Sequence, residues 1–267
     1  MTTDKQAEIA AYRAHRGINA TTIKAGRTSM LHASHAYQRG DIEPTAAMEL
    51  GTAVHAMLAS LAGTSPVSGV VRYEGRRAGK DWEAFALAHA DDIILPAAAH
   101  ETACAMHDAA RPHLDGLIRI GGAGEFEKPI FWERDGVKCK ALPDLIQERH
   151  IVDFKTTGAI DPRTIERNSY SMGWHLQMGW YMDAHATRYP SAGRPTVWIL
   201  AIESKPPHDV VLYRMDDDAL DRGRNEAREI AARFAACLAT NSFPGIQSGG
   251  MPLALALPTW AETTAAG

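Results

Sequence analysis

Pro143-Asp144, followed nine residues on by Asp153-Phe154-Lys155-Thr156-Thr157, decides the reading of this chain, because it puts two carboxylates and an amine on what reads as a β-hairpin. Val137 to Ile146 and His150 to Thr156 are apolar-rich runs separated by the polar Gln147-Glu148-Arg149, a pattern that predicts strand, turn, strand. Side chains alternate along a strand, so Asp153 and Lys155 share one face while Val152 and Phe154 enter a core on the other. Asp144 falls near the end of the partner strand, where a preceding proline is tolerated only at an edge or an interruption of the ladder.

Hard cations such as Mg²⁺ take oxygen ligands, usually one or two carboxylates completed by water and substrate phosphate, and Asp144 with Asp153 offers that set. A lysine beside a metal-bound water orients the nucleophile and balances charge on phosphoryl oxygens, which is the task open to Lys155. Taken alone, an Asp-x-Lys tripeptide more often marks a surface ion pair of little energetic weight. Its surroundings add more. Glu125 to Trp132 reads as another strand leading into Glu133-Arg134-Asp135-Gly136, whose Asp-Gly is a strong hairpin signal, and Glu125 and Glu127 then share one face. Trp174 to Met182 has the apolar spacing of a helix packed on a sheet, with Gln177 and Tyr181 one turn apart.

With these segments in order, the chain resembles the PD-(D/E)XK nuclease superfamily and within it the RecE-like group, exodeoxyribonuclease VIII and its phage relatives. The segments are Gly51 to Leu58, Gly79 to Phe85, Glu127 to Trp132, Pro143-Asp144, Val152 to Thr157, and Tyr170 through Gln177 to Tyr181; the resemblance spans roughly residues 18 to 260. It implies an α/β fold, a mixed central sheet flanked by helices, and an active-site set of His55, Glu127, Asp144, Asp153 and Lys155, with Gln177 and Tyr181 in a supporting helix. Asp144, Asp153, His55, Glu127 and the backbone carbonyl of Phe154 would hold Mg²⁺, or Mn²⁺ in its place. Asp153 stands where the superfamily often has Glu, a change that the motif admits. By its own pattern His55 reads as a hydrogen-bonded histidine of a mostly apolar helix, and only the resemblance raises it to a site residue. Glu125 and Glu127 stay alternatives for the acidic ligand, with the spacing to Trp132 favouring Glu127.

The resemblance further implies an exonuclease acting on ends of linear double-stranded DNA, 5′ to 3′, leaving a 3′ overhang for a RecT-like single-strand annealing protein. It also implies a ring-shaped homo-oligomer. A structure-specific or restriction-type endonuclease with the same core is the alternative.

At 267 residues, 45% hydrophobic and 22% charged, the chain has the composition of one globular α/β domain, here taken as 18–250, with an N-terminal helical extension at 1–17 and an Ala- and Pro-rich tail at 251–267. Cys104, Cys139 and Cys237 are scattered and odd in number, which supports no disulfide framework, no zinc site and no four-cysteine cluster. No run of about 18 apolar residues and no leader pattern is visible, so a cytoplasmic protein without a membrane segment is expected. The net charge of −4 is unfavourable for DNA, where Lys and Arg dominate phosphate binding, but the bases cluster. Arg72, Arg76, Arg77 and Lys80 fall together, and Lys24, Arg27, His32, His35 and Arg39 lie along an early helix. Those two groups read equally well as solvated faces, and Arg163 and Arg167, four apart after the motif, are candidates for gripping a phosphate on a segment that reads more readily as a solvated face.

Elsewhere the pattern predicts helices over 3–16, 21–37, 45–61, 80–91 and 97–111, making the N-terminal half largely helical before a sheet that begins near 124. Strands at Thr196 to Glu203 and His208 to Met215 extend that sheet, and Asp216-Asp217-Asp218 caps a long helix to about Ala239.

Overall fold

The computed structural model describes residues 2–39, 43–60, 69–247, 249–250 and 252–256. Its first half runs α1 (Thr2–Ala14), α2 (Ala20–Gly26), α3 (Met30–Gln38), α4 (Ala46–Ser60), β1 (Val70–Tyr73), α5 (Lys80–Ala88), β2 (Ile93–Pro96) and α6 (Ala97–Gly121). The second half is β3 (Gly124–Phe126), β4 (Ile130–Arg134), β5 (Val137–Ala141), β6 (Leu145–Gln147), β7 (His150–Thr157), α7 (Pro162–Ser171), α8 (Trp174–Arg188), β8 (Thr196–Glu203), β9 (Val210–Arg214) and α9 (Asp217–Thr240). The tail reading at 251 and 257–267 lies outside the described residues.

A five-stranded sheet in the order β3-β6-β7-β8-β9 forms the centre, antiparallel except for the parallel pair β7–β8. The near-continuous apolar runs of β7 and β8 suit strands covered on both faces. Ile151, Val197, Ile199 and Ala201 pack into one core with α2, α8 and α9, while Val152, Phe154, Leu200 and Ile202 pack into a second with α4 and α6. The mixed sheet between helical layers that the sequence predicts is therefore present.

Four expectations are corrected. The run from Val137 to Ile146 is two strands: β5 pairs with β4 in a separate hairpin, and β6 pairs with β7, because Pro143 interrupts the ladder between them. Glu125 to Trp132 is likewise broken, since Glu127 adopts a left-handed conformation (φ 44°) that ends the alternation placing it on Glu125's face. The helix expected over 21–37 is interrupted, with Ser29 accepting the backbone N–H of His32 to cap α3. The helix expected to stop at 111 continues through Pro112 to Gly121, because Ala103, Met106, Ala110, Leu114 and Leu117 form one buried stripe whose burial offsets the roughly 3 kcal/mol cost of an internal proline. The four-residue strands β1 and β2 form a small parallel pair inside the half read as helical. Asp135-Gly136 does make the tight β4–β5 turn, both residues with positive φ. The proposed extension at 1–17 is tied to the domain, the Lys140 ammonium donating to the carbonyls of Tyr12 and His15 at 2.8 and 2.7 Å. Among the described residues no helix is long and apolar enough to cross a membrane.

Helix α8 is buried along nearly its whole length and fixes the site described below. Gly179 and Gly223 let α8 and α9 meet backbone to backbone; a Cβ at either would collide with main-chain atoms of the other helix. One turn on, the buried Asp183 carboxylate binds Arg134 and Arg224 at 2.8 Å and Arg228 at 2.9 Å. Burial alone would raise its pKa, but hydrogen bonds from Arg228 and Arg224 and their charges hold it below the ordinary carboxylate value. Its stabilisation is thus complete above about pH 4, the unfolded value, and is lost as pH falls through the depressed folded value. Asp183→Asn is expected to lower stability by about 3 kcal/mol, because it strands three guanidinium groups. Urea unfolding at pH 7 and at pH 3 measures this, and the gap between wild type and variant should narrow at the lower pH.

Candidate active site

β6 pairs only two residues with β7, Leu145 with Val152 and Ile146 with Ile151. Beyond that point the β7 edge would lose its partner, and the Asp144 side chain takes over: Oδ2 accepts the Phe154 N–H at 2.6 Å. A strand residue's N–H and C=O leave the same edge, so the Phe154 carbonyl opens into the same gap. The loop carrying Asp144 is pinned on both sides, the Glu127 N–H donating to the Asp144 carbonyl at 3.0 Å and the Tyr181 hydroxyl to the Leu142 carbonyl at 3.1 Å.

From one face of the sheet, α4 delivers His55, whose ring stands edge-on to Phe154 and whose Nδ1 lies 3.2 Å from Asp144 Oδ1. From the other, α8 delivers Gln177 and Tyr181. Gln177 Nε2 donates to Asp153 Oδ1 at 2.9 Å and to the Tyr181 oxygen at 3.2 Å. The Lys155 ammonium is 2.6 Å from Asp153 Oδ2 and donates to Gln177 Oε1 at 3.3 Å, over the Trp174 ring. The structure therefore brings His55, Asp144, Asp153, Lys155, Gln177 and Tyr181 together, along with the backbone of Phe154.

Electrostatics sort the groups. Asp153 is raised by burial first, with Asp144 adding to the shift and Lys155 opposing it. Asp144 is also penalised by burial, yet the charge and hydrogen bond of His55, with help from Lys155 and the Phe154 N–H, hold it low. Burial works against a charged His55, and Asp144 more than reverses that, so His55 is raised. The Tyr181 phenol is pushed well up by burial and by both aspartates, which keeps it a hydrogen-bond donor.

One residue at the site escaped the motif reading. Lys24, on α2, donates to Gln177 Oε1 at 3.2 Å, and its pKa is lowered to about 8 by burial and the charge of Lys155. In sequence it stands among bases of an ordinary helix face, and nothing in its spacing ties it to a strand 131 residues away.

The other candidates are placed as follows. Glu125 binds Arg188 at 2.8 Å and the Tyr189 hydroxyl at 3.3 Å, an engagement away from the aspartates, whereas Glu127 is joined to Asp144 through its backbone. Arg77 braces the fold, paired with Glu49 and the Ile94 carbonyl and lying over Trp82. Arg76 and Lys80 are exposed beside it, and Arg163 and Arg167 are exposed on α7.

Among the described residues no three His, Cys, Asp or Glu side chains form a ready-made metal cage. Two carboxylates and a backbone carbonyl nevertheless suit a hard divalent ion that keeps several waters. Burial, with the neighbouring Asp144 adding to it, disfavours Asp153 as an anion, a cost that such an ion relieves.

Three comparisons bear on family. A family model described as a PDDEXK-like domain of unknown function (DUF3799) matches residues 21–251. No curated protein matches in sequence. A crystal structure assigned as an exonuclease from Eubacterium rectale superposes with a TM-score of 0.60 at 12% identity, covering 97% of this chain and 96% of that one. A phage-related exonuclease from Haemophilus somnus 129PT gives 0.34 at 12% identity, covering 85% and 96%. The match over residues 21–251, on a fold with the Asp144, Asp153 and Lys155 arrangement described above, makes this chain a member of the PDDEXK-like family.

Proposed function

We propose that this protein is a divalent-cation-dependent exonuclease that hydrolyses phosphodiesters at ends of linear double-stranded DNA. The observation that carries the reading is the convergence of Asp144 and Asp153 around the Phe154 backbone with the Lys155 ammonium 2.6 Å from Asp153. The exonuclease named from Eubacterium rectale supports it at the level of fold. Digestion from 5′ to 3′, a 3′ overhang handed to a RecT-like annealing protein and a ring-shaped homo-oligomer are further parts of this proposal that come from the RecE-like resemblance, and a cytoplasmic location, expected from the sequence pattern, completes it.

Asp144, Asp153 and the Phe154 carbonyl would hold Mg²⁺ or Mn²⁺, with His55 and Glu127 as the remaining candidates. When bound, the ion supplies a polarised water and a positive charge against the phosphoryl oxygens. Lys155, steadied by Gln177 and Trp174, donates a hydrogen bond that aims the attacking water at phosphorus. Gln177 keeps Asp153 turned inward, and Tyr181 holds the Leu142 carbonyl so that Asp144 stays in register. As the water oxygen bonds to phosphorus, the P–O3′ bond breaks. The water's proton passes to solvent and the departing oxygen takes one from solvent.

Linear duplexes labelled at either end, closed circular DNA, Mg²⁺ and EDTA test the proposal together. Wild type should release nucleotides from linear DNA only with metal and spare the circle; nicking of the circle would mark an endonuclease, and inactivity with metal would end the reading. Lys155→Ala should lower turnover roughly 10²–10³-fold, the loss expected for one aimed donor. It should keep metal affinity.

Metal binding has a readout independent of activity. At a hundred times its Kd, Mg²⁺ or Mn²⁺ should stabilise the wild type by about 2.7 kcal/mol in thermal unfolding. Asp144→Asn should lose most of that gain.

A further inference from the structure

Lys24 sits where no motif requires a base. Its stem lies on Gly173, at the α7–α8 turn, where a Cβ would be 3.0 Å from Lys24 Cγ and 3.3 Å from Cδ. The stem is thereby aimed at Gln177, whose Oε1 accepts both the Lys24 and the Lys155 ammonium at 3.2 and 3.3 Å. Two cations converge on one neutral carbonyl oxygen. Lys155 is ion-paired with Asp153, whereas among the described residues no ion pair holds Lys24, which feels the Asp153 charge only from beyond contact. Gln177 needs no help from Lys24, because Asp153, Tyr181 and Lys155 already fix both ends of its amide.

A largely buried ammonium with only a shared amide oxygen is costly unless an anion joins it. The imbalance grows when a divalent cation offsets Asp144 and Asp153. Both ammonium groups then face the site with no carboxylate to spare. Their nitrogens are separated by no more than two hydrogen bonds laid end to end, a gap that the non-bridging oxygens of one phosphate can span.

Resting on the nuclease reading above, we propose that Lys24 is a second catalytic cation, whose ammonium hydrogen-bonds a non-bridging oxygen of the scissile phosphate while Lys155 holds the attacking water. Charge gathered on that oxygen as the new P–O bond forms is met by Lys24, and no proton leaves the amine in the step.

The test compares wild type, Lys24→Met, which keeps most of the stem, and Lys24→Arg, which keeps the charge. Single-turnover release from an end-labelled linear duplex is measured with saturating Mg²⁺, and duplex affinity is measured against salt with Ca²⁺ replacing Mg²⁺. Lys24→Met should cut the single-turnover rate roughly 10²-fold, a loss of the size caused by removing one transition-state donor. It should also flatten the slope of log affinity against log salt by about one phosphate contact. The rise in Tm on adding Mg²⁺ should stay as in wild type, and Lys24→Arg should recover much of both losses. A rate equal to wild type, or a lost rate with an unchanged salt slope, would overturn the proposal, the second result making Lys24 a brace for Gln177. If Lys24→Met does not fold, Lys24→Gln carries the same comparison. A wild type that releases no nucleotide with metal overturns the nuclease reading and this inference with it, whereas an active wild type beside an indifferent Lys24→Met overturns this inference alone.

Discussion

The hydrogen bond from the Phe154 N–H to the Asp144 carboxylate is the contact on which the site depends. It exists because Pro143 cannot donate to a ladder and so ends β6 early, leaving an edge position on β7 for a side chain to fill. An acidic group is well suited to that task, since a charge-assisted bond to a backbone amide is short and strong. The same bond has an electrostatic consequence. It brings a second carboxylate beside Asp153 in a place that water barely reaches, and one of the two must be disfavoured as an anion. The charges of His55 and Lys155 offset part of that cost. The arrangement is thus poised to accept positive charge, which connects a broken ladder to a chemical capacity.

Helix α8 turns that capacity into geometry. Its first turns reach the site through Trp174, Gln177 and Tyr181, and its later turns are clamped by the glycine contact with α9 and by Asp183 with its three arginines. Gln177 and Asp183 share a rigid element, so stability at one end is positional accuracy at the other. Few freedoms remain for Gln177, whose amide oxygen faces ammonium groups and whose nitrogen faces Asp153 and Tyr181. Reversing the amide would set donors against cations and a carbonyl against a carboxylate.

Much of this was legible in the chain itself, for identifiable reasons. Strand alternation placed Asp153 and Lys155 together because β7 and β8 have long apolar runs that leave little doubt about register. Helical spacing set Gln177 one turn from Tyr181 for the same kind of reason. The failures lie where a local signal is overruled by packing. Pro112 reads as a stop, but the buried stripe on either side of it continues the helix. Glu127 reads as a strand residue, but its positive φ turns the chain between β3 and the β4–β5 hairpin. Four-residue strands such as β1 and β2 carry too little periodicity to be distinguished from loops. Lys24 is a different case, because its importance lies in a contact across 153 residues of sequence, for which no local pattern exists.

The sheet's edge also explains why the overall charge of the chain is a poor guide to what it can bind. His55 arrives from the α4 side and Gln177 with Lys24 from the α2 and α8 side, and they reach one place only because β6 stops short. On the proposed function, the backbone of a polymer would approach at that edge, where β6 leaves β7 unpaired. What such a backbone meets is local: two carboxylates able to share a divalent ion, and two ammonium groups beside them. Fields this close act over a few ångströms, whereas the net charge of −4 is spread over a surface screened within about 10 Å by ordinary salt. On the proposed function, affinity for an anionic chain would follow the order of charging, the ion first and the phosphate second, so that an acidic protein would hold a polyanion at a site made positive by its ion.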